Sequence, residues 1–133
     1  MSVVGLGGIF FRAQDPDALT AWYKENLGVG AGCNASGEGD AGEGDAGEWY
    51  WNAVGGNTVF APFKAATDYW PADKAFMMNL RVRELDALLE KLRAAGIAVR
   101  TEAEWDDPTT GRFARIHDPE GNPIELWEEP EQA

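Results

Sequence analysis

One strand, one amphipathic helix and three further strands run through this chain twice, and no other feature restricts its fold as much. Asp17-Ala18-Leu19 in the first helical stretch has its counterpart in Asp86-Ala87-Leu88 of the second. Leu27-Gly28-Val29 corresponds to Ala95-Gly96-Ile97, and Gly56-Asn57 to Gly121-Asn122, each pair at nearly the same interval. A βαβββ unit lays its helix on one face of a four-stranded sheet and leaves the other face bare. Two such units predict an α+β fold in which the bare faces line a half-open barrel and the helices lie on the outer face. The first repeat spans about 3–63, a linker 64–74 and the second repeat about 75–128, within a single domain covering 1–133.

Local signals supply the elements. Residues 3–13 are apolar and β-rich and predict a strand. Asp15 before Pro16 is an N-cap with proline at the first helical position. Leu19, Trp22, Tyr23 and Leu27 recur at helical spacing and form the inner stripe, and Gly28 ends the helix. A short strand is expected from Val29. Residues 37–46 carry Gly-Glu-Gly-Asp-Ala twice, a composition that buries nothing and predicts a loop. Its carboxylates lack the order and terminal Glu of a calcium-binding EF-hand loop. Residues 48–54 and 58–63 predict strands around Gly55-Gly56-Asn57, and 75–83 a further strand. Leu85, Leu88, Leu89 and Leu92 mark an amphipathic helix stopped by Gly96. Residues 97–101 alternate as a strand, and 106–111 are rich in turn formers.

The chain's end is the sharpest local signal. Residues 112–117 and 123–128 flank Asp118-Pro119-Glu120-Gly121, where Asp accepts backbone N–H bonds, Pro presets φ and Gly tolerates positive φ. Two short strands joined by a tight turn follow. Alternation puts Ile124 and Leu126 on one face and Glu125 on the other, together with Phe113, Arg115 and His117. If the first face meets the helix, Glu125 faces the bare side, and a carboxylate there needs a metal, an arginine or a ligand. His117, the sole histidine, falls at the rim end of its strand, where a surface role competes with general base or ligand contact.

Composition narrows the partners. Net charge is −12, with 23 acidic against 11 basic residues, which excludes nucleic acid and anionic membrane surfaces as natural partners. No apolar run approaches the roughly 20 residues of a membrane span. Cys33 is the single cysteine, so there is no internal disulfide framework. These features, with a start lacking a basic leader, predict a cytoplasmic soluble protein.

The duplicated plan, closed by Asp118-Pro119-Glu120-Gly121-Asn122-Pro123-Ile124-Glu125-Leu126, resembles the vicinal oxygen chelate superfamily of glyoxalase I, bleomycin-resistance proteins and extradiol dioxygenases. The opening from Gly7 to Gly28 is similar to the superfamily's first strand and helix. The resemblance implies the glyoxalase/bleomycin-resistance/dioxygenase fold and a homodimer. It also implies a divalent metal held from four strands, at positions that fall here on Gly8, Phe60, Met77 and Glu125. Only Glu125 offers a hard donor, because a thioether is a poor ligand for Mg, Mn, Fe or Zn. No cofactor is therefore expected, and a divalent metal is disfavoured.

Alternation gives the expected lining of the cup: Phe10 and Arg12; Tyr50, Asn52, Thr58 and Phe60; Met77, Asn79 and Arg81; Phe113, Arg115, Glu125 and Trp127. A one-residue slip would exchange Tyr50 and Asn52 for Trp49 and Trp51. Aromatic walls with a few charged groups suit a small organic ligand, and Arg81 or Arg115 suits a carboxylate or phosphate. A plain ion pair between either arginine and Glu125 competes with that role. Trp70 and Trp105 fall in or beside loops, as lid, subunit contact or ordinary packing. The leading reading is a glyoxalase/bleomycin-resistance-like protein that binds a small molecule without a metal. The alternative is a glyoxalase-like lyase or isomerase with Glu125 as general base or metal ligand. A third is a scaffold whose cup is filled by side chains.

Overall fold

The computed structural model describes residues 2, 6–30, 51, 53–56 and 58–131. The chain divides into two compact units, Met1–Phe63 and Lys64–Ala133.

In the first unit, α1 spans Pro16–Leu27. Asp15 caps it as its sequence position predicts, with Oδ1 accepting from Ala18 N at 3.1 Å. Gly28, at φ 70°, closes it, its N–H donating to the Lys24 carbonyl. Leu19 and Tyr23 are the buried positions of the helix. Trp22, expected in the inner stripe, is only half-buried and meets Tyr23 edge-on at 5.1 Å. A helix turns 100° per residue, and two adjacent large rings do not share one narrow stripe.

The strands expected in 3–13, 48–54 and 58–63 are not formed by the described residues of those segments, and Val29 lies in a turn. β-propensity registers fit to a pleated, half-buried surface and forms a strand only where a ladder partner exists. Glycines at 7, 8, 55 and 56 weaken these segments further. The Gly-Glu-Gly-Asp-Ala repeat, together with Trp49, Tyr50 and Asn52, lies outside the described residues.

The second unit holds a four-stranded sheet. We label the strands β1 (Met78–Arg81), β2 (Asp106–Asp107), β3 (Gly111–His117) and β4 (Pro123–Glu128), arranged β1-β4-β3-β2. β4 runs parallel to β1 and antiparallel to β3. The strand expected over 75–83 is formed in its middle, and Val82 N extends its pairing by donating to the Trp127 carbonyl. The strand expected over 97–101 contracts to one bridge, Arg100 with Arg115, in which each N–H donates to the other's carbonyl at 2.9 Å. The loop expected over 106–111 begins with the two-residue β2 and then turns, with Asp107 accepting from Thr109.

The β3–β4 turn forms as its residues predict. Asp118, buried, accepts from Glu120 N, Asn122 N and Asn122 Nδ2, and Gly121 N donates to the Asp118 carbonyl. The resulting register sets Phe113 opposite Trp127, Arg115 opposite Glu125 and Ile116 opposite Ile124.

Leu85–Ala94 form α2, which packs on β4 through Leu85, Leu89 and Leu92. Leu80, Ala114, Ile116, Ile124 and Leu126 are buried with them. Each of the leucines and isoleucines contributes about 1.5–3 kcal/mol of burial. Glu84 lies at φ 53° and gives α2 no side-chain cap. Glu128 at the end of β4 takes that role from a distance, accepting from Leu85 N at 3.0 Å. Arg112 ties the same corner, gripping Asp86 with both Nη atoms at 3.1 and 2.7 Å.

Gly111 starts β3 at φ 104°, and a Cβ there would collide with the Glu128 carbonyl oxygen and sit 2.8 Å from Trp127 Nε1. We expect Gly111→Ala to destabilise the chain by about 3 kcal/mol, read from urea or thermal unfolding. A loss within experimental error would contradict this strand junction.

Candidate functional site

The register of the sheet assembles the site. On the face away from α2, Asn79 of β1 stands beside Glu125 of β4, and Glu125 beside Arg115 of β3. The bridge adds Arg100 beside Arg115. A row of four polar side chains, Asn79–Glu125–Arg115–Arg100, thus crosses one face of the sheet. Two of the four, Arg115 and Glu125, are buried, at 3% and 8% exposure.

Glu125 is held at both oxygens. Asn79 Nδ2 donates to Oε1 at 2.8 Å, and Tyr69 Oη donates to Oε2 at 2.5 Å, the short range of a charge-assisted O–H···O⁻ bond. The expected ion pair between an arginine and Glu125 is not what satisfies it among the described residues. Arg81 instead approaches Glu129 at 3.8 Å. Arg81 points along the same face but one pleat away, opposite Trp127 rather than Glu125.

Arg115 is set among rings. Its guanidinium carbon lies 4.8 Å from the Tyr69 ring centroid and 5.7 Å from that of Trp105. Arg100 approaches the same Trp105 at 5.1 Å, and its Nε meets Glu102 at 2.9 Å. Tyr69 and Trp105 meet edge-on at 6.3 Å. The Nε and Nη2 of Arg115 are buried and find no acceptor among the described residues. Leaving a buried donor unpaired costs about 1–3 kcal/mol, so this arrangement is unusual for a purely structural arginine.

One pleat away, Phe113 and Trp127 stack with centroids 5.9 Å apart and planes 1° from parallel. Trp127 Nε1 donates to the Thr110 carbonyl at 2.8 Å, which fixes the indole's orientation. His117 ends β3 exposed on this face. Partial burial and the charge of Arg115 push its pKa down, against a smaller upward pull from Asp118.

Of the residues expected in the cup, the sheet brings together Asn79, Arg81, Phe113, Arg115, Glu125 and Trp127. Met77, half-buried, immediately precedes β1. Phe10, Arg12, Thr58 and Phe60 belong to the other compact unit, with Phe10 and Phe60 exposed at 90% and 83%. Tyr50 and Asn52 lie outside the described residues. Three contributors escaped the sequence reading: Tyr69, Arg100 and, in its contact with arginine, Trp105. Tyr69 sits in a segment without periodicity, and Arg100 reaches the row through a single bridge. Trp105 had a signal, a large aromatic beside a loop.

The superfamily's metal does not fit this donor set. Gly8, Phe60 and Met77 offer no hard ligand, and Glu125 already serves two protein donors. Among the described residues, no three His, Cys, Asp or Glu side chains cluster so as to hold a metal ion. Among them, too, no helix is long and apolar enough to cross a membrane.

The Tyr69 phenol has its pKa pushed up to about 12, first by burial, then by its bond to Glu125 and by that carboxylate's charge, against a smaller downward pull from neighbouring Arg115. The folded chain keeps this proton until about pH 12, whereas the unfolded chain releases it near 10.0. The stability linked to it is therefore whole below pH 10 and is lost between about pH 10 and 12. We expect a late phase in the ultraviolet phenolate titration, centred near pH 12, that is missing from Tyr69→Phe. A Tyr69→Phe titration superimposable on the wild type would contradict the Tyr69–Glu125 bond.

Three comparisons bear on this geometry. The profile of a glyoxalase-like domain matches residues 8–127. The fold superposes on TnmS3, an antibiotic binding protein from Streptomyces sp. CB03234, with a TM-score of 0.56 over 97% of this chain and 98% of that one. Identity is 19%, so this likeness speaks to fold alone. A glyoxalase/bleomycin resistance protein from the same Streptomyces strain is 31% identical over 40% of this chain and 45% of its own, with a TM-score of 0.34. No curated protein sequence matches this chain.

Proposed function

The chain belongs to the glyoxalase-like domain family of the vicinal oxygen chelate superfamily, and we propose that it binds a small organic molecule in its cup without a metal ion. The observation that carries this reading is the pairing of Glu125. Both of its oxygens accept from protein side chains, Tyr69 on one and Asn79 on the other. In the superfamily this position on the last strand supplies a metal ligand. Here it is a structural acceptor beneath an aromatic and cationic surface.

The surface above it supports binding. Tyr69, Trp105, Phe113 and Trp127 supply flat apolar area, and Arg115 supplies buried donors that have no acceptor among the described residues. Few polar groups among aromatic walls are the usual make-up of a small-molecule site. The fold is shared with a protein that binds an antibiotic, which is compatible with this role.

Elemental analysis of the purified protein, with melting curves before and after chelation, tests the metal-free part. We expect far less than stoichiometric divalent metal and no shift on chelation. Near-stoichiometric metal with a chelator-induced drop would overturn it. Thermal-shift screening of planar aromatic compounds tests the binding part. A compound present at 100 times its Kd adds about 2.7 kcal/mol, a rise in melting temperature of several degrees for a chain of this size. A substrate turned over by the wild type but not by Glu125→Gln would replace this reading with the enzyme.

A further inference from the structure

Arg115 is left chemically incomplete by its described surroundings. Its Nε and Nη2 lie on one edge of the guanidinium plane with their N–H bonds nearly parallel. That edge is the one by which an arginine takes both oxygens of a carboxylate. Both atoms are buried, and neither has an acceptor among the described residues. The carboxylate nearest in register, Glu125, gives its oxygens to Tyr69 and Asn79. The fork therefore faces an acceptor that these side chains do not supply.

Resting on the small-molecule reading above, we infer that the ligand is a planar aryl carboxylate. Its two oxygens take the Nε–H and Nη2–H of Arg115, and its ring lies along the Phe113–Trp127 pair. Three observations select this class. The unpaired edge is bidentate and planar, which matches a carboxylate. Glu125, opposite Arg115, already offsets much of the guanidinium's charge, so a singly charged group suits the site better than a dianionic phosphate ester. Phe113 lies two residues from Arg115 on β3, and Trp127 two from Glu125 on β4, so their stacked rings continue the same face of the sheet. A flat apolar body extending from the fork meets them. The cover over Arg115 is slight on one side: Trp105 rides on a three-residue 3-10 turn, Ala103–Trp105, that has no side-chain cap.

Calorimetric titration of the full chain with 2-naphthoate and with its neutral isostere 2-naphthamide tests the inference. The wild type should bind the naphthoate about tenfold or more tightly than the amide. Arg115→Lys keeps the charge and removes the fork, and should bring the naphthoate to within about threefold of the amide. Equal affinity of the wild type for both probes would overturn the carboxylate assignment and leave small-molecule binding standing, with water then completing the fork. Binding of neither probe at millimolar concentration would overturn both. A naphthoate preference that survives intact in Arg115→Lys would overturn the role of the fork. The wild-type comparison needs no variant to fold.

Discussion

The carboxylate of Asp118 sets the register on which the second unit depends. It closes the turn between β3 and β4 by accepting from two backbone N–H groups and one side-chain amide. With the turn pinned, every pair along the hairpin is determined, and with it the face each side chain occupies. A slip of β3 by one residue against β4 would drive Arg115 into the aliphatic layer under α2 and expel Ile116 to the open face. Burying that charge among leucines without a partner would cost several kcal/mol. The hydrophobic pattern and the turn chemistry thus choose the same alignment.

The same alignment creates an energetic tension. Placing Arg115 beside Glu125 makes their attraction available, yet Glu125 is satisfied by neutral donors, and the Nε and Nη2 of Arg115 have no acceptor among the described residues. A chain selected for stability alone would gain by replacing such an arginine with an apolar side chain of similar volume. The proposed binding role would account for retaining a cation among Tyr69 and Trp105 at some cost to the fold. Tyr69 and Trp105 both lie within cation–π range of the guanidinium, which restricts its orientation.

Much of the scaffold was legible in the residues. Asp15 and Gly28 mark the ends of α1, and the leucine spacing of α2 marks its buried stripe, because caps and periodicity are local. The last hairpin was legible for the same reason, down to the face shared by Phe113, Arg115 and Glu125. The first repeat was not. Its β-rich segments read as strands, but their described residues form none, since a strand exists only through a partner that composition does not specify. The two halves share landmarks in sequence, but the described residues of the first do not form the strands seen in the second.

At the site the division follows the same physics. By itself, the sequence determined which side chains of β3 and β4 look away from the helix, because alternation is a property of consecutive residues. The family resemblance groups Glu125 with Gly8, Phe60 and Met77, none of which carries a hard donor, so no metal was expected there. Only the tertiary structure decided what Glu125 would bind instead. Tyr69 reaches it across 56 positions of chain and Asn79 across 46, contacts set by how distant segments pack, and no local pattern encodes them.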